Sequence, residues 1–180
     1  MGHPLKSISK AGIPEAIAKA ELYRYLNEPE ETESICRDIL AVEPEHQLAR
    51  RLLGLAMTDQ FIGATSDRYL EVESIFQGLR DPYEQLYYAG ILYERRAKTQ
   101  LLVGYIPHTI RPLVEEAMRC FAEAEKIRPA GNDDSILRWN RCVRLLESRV
   151  DFHFERELVA VDSEDILPSD AIQRRPGRVN

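Results

Sequence analysis

The chain has little of what usually marks a catalytic or metal-binding protein. Its 180 residues include three cysteines, four histidines and one tryptophan. Cys36, Cys120 and Cys142 are odd in number and far apart, each within a helical pattern. That argues against a disulfide framework or a zinc cluster and fits buried thiols in a reducing cytosol, so a cytoplasmic location is expected. His3, His46, His108 and His153 show no metal-ligand spacing, such as a helical pair four apart, and surface positions with no metal are expected. There is no glycine-rich phosphate loop and no serine in a nucleophile-elbow setting. No apolar run approaches the ~20 residues needed to span a bilayer. The first six residues lack the apolar stretch of a signal peptide, and Lys6 stands where a myristoylation motif needs Ser or Thr. Positive charge is also short. Twenty-four Lys and Arg against 30 Asp and Glu give −6, which argues against a nucleic-acid partner. The acid pairs Glu115-Glu116 and Glu123/Glu125, and the arginine pairs Arg50-Arg51 and Arg95-Arg96, read as solvated helix faces. No reaction and no cofactor are expected.

What is present is helix. A composition of 44% hydrophobic and 30% charged residues suits one domain with a sizeable core. From residue 13 to 150 the apolar spacing is helical, with no convincing strand alternation. A first helix is predicted from Pro14 to Leu26, since proline suits a helix start. Asn27-Glu28-Pro29 restarts the chain, and Glu30 and Glu31 lie at the positive end of the next helix dipole. That helix carries Ile35, Cys36, Ile39 and Leu40 on one stripe and stops at Pro44. Residues 47–62 and 67–79 read as two further helices joined by a turn at 63–66, with Asp81-Pro82 ending the second. Another helix begins at Tyr83. After Pro129, Ala130-Gly131 makes a turn and Asn132-Asp133-Asp134 a cap. A terminal helix over 135–150 then carries Ile136, Trp139, Val143 and Leu146, and covers the last apolar face. Over 151–170 seven acids face one arginine, and Arg174, Arg175 and Arg178 follow. Residues 151–180 are therefore expected to be a flexible tail, after an N-terminal segment at 1–12.

The helix pairs recur roughly every 34 residues, the period of a helical repeat. The clearest copy spans 13–44, with Ala16, Ala20 and Tyr23, then Ile39, Leu40 and Glu43-Pro44. A diverged copy begins near Gln47 and carries Leu53-Gly54. The third runs from Tyr83 through Leu86, Ala89-Gly90 and Tyr93 to Ala117, Phe121, Ala124 and Pro129. Phe121 trails Gly90 by 31 residues, whereas Cys36 trails Ala20 by 16. The surplus lies at 100–112, around Gly104, Pro107 and Pro112. It reads either as a functional loop or as an extended helix followed by an ordinary connector.

These residues resemble the tetratricopeptide repeat family, over about 120 residues from Ile13 to Pro129. The resemblance makes Ala20, Gly54 and Gly90 the small residues where helices cross, and Tyr23 and Tyr93 the aromatics one turn later. Cys36, Phe76 and Phe121 become the packing residues of the second helices, flanked in the third copy by Ala117 and Ala124. Pro44 and Pro129 become the closing prolines. Thr32 stands where the family usually has alanine, and Met57 where it has tyrosine. The implied fold is an all-α, right-handed superhelix of antiparallel helix pairs, about three repeats plus a C-terminal capping helix.

The resemblance also implies a concave groove, lined by the first helix of each pair, that holds a polypeptide. By phase the groove would present Ile17, Glu21, Arg24 and Tyr25, then Arg51, Leu55, Thr58 and Asp59, then Tyr87, Ile91, Glu94 and Arg95. Each set keeps a spacing of four, three and one, which is one helix face. Some family members clamp a C-terminal carboxylate with groove lysines and asparagines, and none stands at these positions. Tyrosine, aliphatic and arginine side chains suit an amphipathic segment, with Tyr25, Arg51, Leu55, Tyr87 and Arg95 as expected contacts. The function expected is a non-catalytic protein-binding module, an adaptor or scaffold. Rival expectations are a secretion-type chaperone and a self-assembling homo-oligomer in which the tail of one chain fills the groove of the next.

Overall fold

A computed structural model of the chain describes residues 2–61 and 66–148. Of the turn expected at 63–66, residues 63–65 lie outside the described residues and Ser66 opens a helix; the end of the helix expected over 135–150 and the tail at 151–180 lie outside them too. The described residues form a single 3-10 turn, Lys10–Gly12, and seven α-helices. These are α1 (Ile13–Tyr25), α2 (Pro29–Val42), α3 (Gln47–Asp59), α4 (Ser66–Gln77), α5 (Pro82–Leu102), α6 (Pro107–Lys126) and α7 (Asp134–Glu147). No strand occurs among the described residues.

Local chemistry sets the ends. Four helices, α1, α2, α5 and α6, carry proline at their first or second position, where a missing N–H costs nothing. The Asp81 carboxylate accepts the Tyr83 N–H at 2.9 Å to cap α5, and His46 Nδ1 accepts the Ala49 N–H at 3.1 Å to cap α3. Between α1 and α2 the chain turns through Asn27 at φ 62°, a left-handed conformation that asparagine tolerates. The surplus at 100–112 is helix on both sides of a four-residue connector: α5 runs on to Leu102, and α6 begins at Pro107 and continues through Pro112. Of the two readings left open, helix extension holds. Its tip exposes Leu102, Val103, Tyr105 and Ile106 around Gly104, whose φ of +86° suits a residue without Cβ.

Each helix packs on the next in sequence, and α1 also touches α3, which touches α5. Helices α1, α3 and α5 thus form one row. Residues near the same ends meet along it, Arg51 with Glu84 and Asp59 with Arg95, so α3 and α5 run parallel. Ile13, Ile17, Ala20, Cys36, Ile39, Met57, Val72 and Phe76 belong to one core cluster. A second gathers Ile91, Val114, Ala117, Phe121, Cys142 and Leu145. At two crossings a ring fills the place of a side chain. A Cβ on Gly54 would stand 2.7 Å from Phe76 Cζ, and one on Gly90 would stand 2.5 Å from Phe121 Cε1. In the first pair Ala20 is fully buried, and the buried Thr32 hydroxyl donates to the Ala20 carbonyl at 3.1 Å. Threonine is therefore accommodated because its polar atom finds a main-chain acceptor in the neighbouring helix.

Outside the core, charged side chains tie residues about one period apart. Arg37 meets Glu71 at 2.9 Å, Arg68 meets Glu33 at 2.5 Å, and Arg80 meets Glu45 at 3.1 Å. Glu33 joins three helices, accepting from Arg37 on α2, Gln60 just after α3 and Arg68 on α4. Burial alone would raise its carboxyl, but those hydrogen bonds outweigh it and hold it below its ordinary value.

Two outcomes follow. Gly90→Ala should destabilise the fold by about 1–3 kcal/mol in urea unfolding, despite alanine's better helix propensity, because the Phe121 ring must move. Combined with Phe121→Leu it should cost clearly less than the two changes summed. The lowered Glu33 value means its stabilisation is complete above the ordinary 4.5 and is lost as pH falls through the folded-state value. Glu33→Gln should therefore flatten the acid limb of a stability–pH curve measured by denaturant unfolding.

Candidate functional site

The row α1–α3–α5 presents a polar face at which most of the expected groove residues meet. Arg24 Nε stands 3.2 Å from Asp59 Oδ2, without the alignment of a hydrogen bond. Arg95 Nη1 donates to the Leu55 carbonyl at 3.0 Å, to Thr58 Oγ1 and to Asp59 Oδ1. One carboxylate therefore serves two arginines from two other helices. Burial, together with repulsion from Arg24 and Arg138, draws the Arg95 guanidinium below its ordinary value, against the attraction of Asp59. It remains charged at any ordinary pH.

Glu94 is fully buried and holds Lys98, four residues on, and Arg138 of α7 at 3.3 Å. It acts as an internal counter-ion and offers no surface to a ligand. Ile17 and Ile91 are likewise core residues, 8% and 1% exposed, and Thr58 is buried with its hydroxyl donating to the Leu55 carbonyl at 2.7 Å. A strict helical stripe always places some members inward when the helix packs on both flanks, which is why spacing alone selected them. Glu21 and Tyr25 are at the surface, Tyr25 at 89% exposure.

Arg51 and Tyr87 come together at the other end of the row. They help to line a cavity of about 210 Å³ with Asp81, Tyr83, Glu84, Tyr88, Pro129, Asn132 and Asp134. Arg51 binds Glu84 at 2.6 Å. The Tyr83 and Tyr87 rings stack at 5.7 Å, and Tyr88 meets Tyr87 edge-on at 5.1 Å. Tyr87 also leans on Phe121, so it is at once core and cavity wall. A second, more apolar cleft of about 160 Å³ lies between α4, α5 and α6, against Phe76, Leu86, Ala89 and Cys120.

Sequence reasoning missed Asp81, Glu84, Tyr88, Asn132, Asp134 and Arg138. The signal was partly there. Glu84 follows Arg51 by 33 residues, Asp59 follows Arg24 by 35 and Arg95 follows Asp59 by 36, so opposite charges one period apart mark the pairs across the row. Asn132, Asp134 and Arg138 belong to α7 and the turn before it, outside the three helices whose stripes the spacing defined.

None of the thiols is placed to act as a nucleophile. Burial pushes Cys36 and Cys142 up to about 12 and raises Cys120. Among the described residues no group of three or more His, Cys, Asp or Glu is arranged to hold a metal ion, and no helix is long and apolar enough to cross a membrane. All three cysteines should resist an aromatic disulfide reagent at mildly alkaline pH in the native protein. They should react fully once it is denatured, as read by absorbance. Comparison of the chain with protein-family models, with curated proteins and with solved structures found no match.

Proposed function

We propose that the chain is a non-catalytic protein-binding module, an adaptor or scaffold that holds a polypeptide segment along the row α1–α3–α5. The fold we propose with it is a right-handed superhelix of tetratricopeptide type, three helix pairs capped by α7. The observation that carries the reading is the continuous row itself, in which three parallel first helices place arginine, acid and tyrosine side chains on one accessible face. The Gly54–Phe76 and Gly90–Phe121 crossings support the fold part, since they pair the residues that the resemblance pairs.

The face is preorganised. Arg24, Arg51 and Arg95 are each held by a carboxylate, so a ligand would meet side chains whose rotamer freedom is already spent. Contact energy would come from the freely exposed Tyr25, from the half-buried Leu55 and Tyr87, and from the outer edges of the guanidinium groups. Ile17, Glu94 and Ile91 would support the face from beneath.

A random-peptide display selection on the immobilised full-length chain tests this. Enriched peptides sharing a consensus are expected, and Tyr25→Ser with Arg51→Ala should weaken their binding about tenfold or more without changing far-ultraviolet circular dichroism. A selection that yields no consensus, or peptides indifferent to both substitutions, would remove the groove from this face.

A further inference from the structure

We propose that the cavity between α3, α5 and the α6–α7 turn is a receptor for a basic side chain, lysine or arginine, of the bound polypeptide. Its walls carry three acids, Asp81, Glu84 and Asp134, against one base, Arg51. Arg51 and Glu84 satisfy each other at 2.6 Å. Asp81 and Asp134 form no ion pair among the described residues. Asp81 spends one oxygen on the Tyr83 N–H, and Asp134 stands in the first turn of α7. Two negative charges are thus left over at the rim.

The aromatic walls favour the same ligand. Tyr83 and Tyr87, stacked on each other, and Tyr88, at 77° to Tyr87, line the cavity with three aromatic rings, and a cation is attracted to an aromatic ring. A volume of about 210 Å³ holds an alkyl stem with its charged head. An unanswered polar group lies in the wall as well. Tyr83 is 6% exposed, and its hydroxyl lies beside the buried Ser135 hydroxyl as well as Asn132 and Asp134, with no hydrogen bond of regular geometry to any of them. A phenol oxygen has lone pairs to offer a cation. Burial raises this hydroxyl above its ordinary value, so it stays protonated and neutral. A negatively charged ligand head would meet Asp81 and Asp134 with nothing to offset them.

The assignment of the cation to a side chain rests on the polypeptide-binding reading above; the preference of the cavity for a cation does not. The direct test follows the tyrosine ring signals by NMR in the full-length protein while n-butylammonium chloride is added, with n-butanol as the neutral control. Rings of Tyr83, Tyr87 and Tyr88 should shift with butylammonium at concentrations about two- to fivefold lower than with butanol. Asp134→Asn should remove most of that difference, while the fluorescence of Trp139 shows that α7 stays docked. Equal responses to the two probes, or a preference untouched by Asp134→Asn, would overturn the cavity assignment whether or not peptides bind. In the display selection, consensus peptides should contain a basic residue whose replacement by alanine weakens binding to the wild type but not to the Asp134→Asn protein. Peptides that bind without such a residue would overturn it too. A failed selection with butylammonium still preferred would remove the side chain as the cation's owner.

Discussion

Two helix crossings depend on the absence of a side chain. At Gly54 and Gly90 the backbone of a first helix lies against the ring of Phe76 or Phe121, and the ring occupies the volume a methyl group would need. This close approach sets how deeply α4 and α6 seat against α3 and α5, and so where the next first helix falls. Had the crossings been wider, Asp59 and Arg95, or Arg51 and Glu84, would not be within bonding distance across the row. The polar face is thus a consequence of packing that takes place a layer beneath it.

Above that layer the structure is tied by charge at one-period offsets. Surface ion pairs singly contribute little, about 0–1 kcal/mol. Here several share a carboxylate. Asp59 is shared by Arg24 and Arg95, Glu33 by Arg37 and Arg68, Glu45 by Arg50 and Arg80, and Glu94 by Lys98 and Arg138. A shared anion fixes two cations relative to each other, and that yields specificity of register more than net stability. Glu94 shows the limit of the arrangement. Fully buried, it would be costly without both its partners, one of which reaches it from α7. Helix α7 therefore both covers apolar surface and neutralises a buried charge.

Much of the fold was legible in the sequence because its determinants are local. Prolines at 14, 29 and 82, the Asp81 cap and the 3.6-residue stripes act within one or two turns, and the expected helices lie within a few residues of the observed ones. The small residues at 20, 54 and 90 were legible through their recurrence. The surplus at 100–112 was not, because Gly104, Pro107 and Pro112 break a helix in most settings. Only packing over the length of α5 and α6 decides that Pro107 opens a helix and Pro112 is carried inside it. At the face, spacing could say which residues share a side of a helix but not how far that side turns toward the core. That is why Ile17 and Ile91 were grouped with Arg24 and Arg95. Of the acids of the cavity, Glu84 lies one period after Arg51, whereas Asp81 comes from a helix cap and Asp134 from the start of α7, which the period does not link.

The one-period ties also bear on how the chain reaches this structure. Among the described residues the ion pairs that cross from one helix pair to the next join positions 33 to 36 apart, and the bond from Glu94 to Arg138 spans 44. Among the described residues no ion pair asks the chain to close a loop of more than 44 residues, so the entropy lost at each step is nearly constant and small. Such low contact order favours folding in microseconds to milliseconds. During synthesis each helix pair can dock on the one before it as soon as it emerges, without waiting for distant partners.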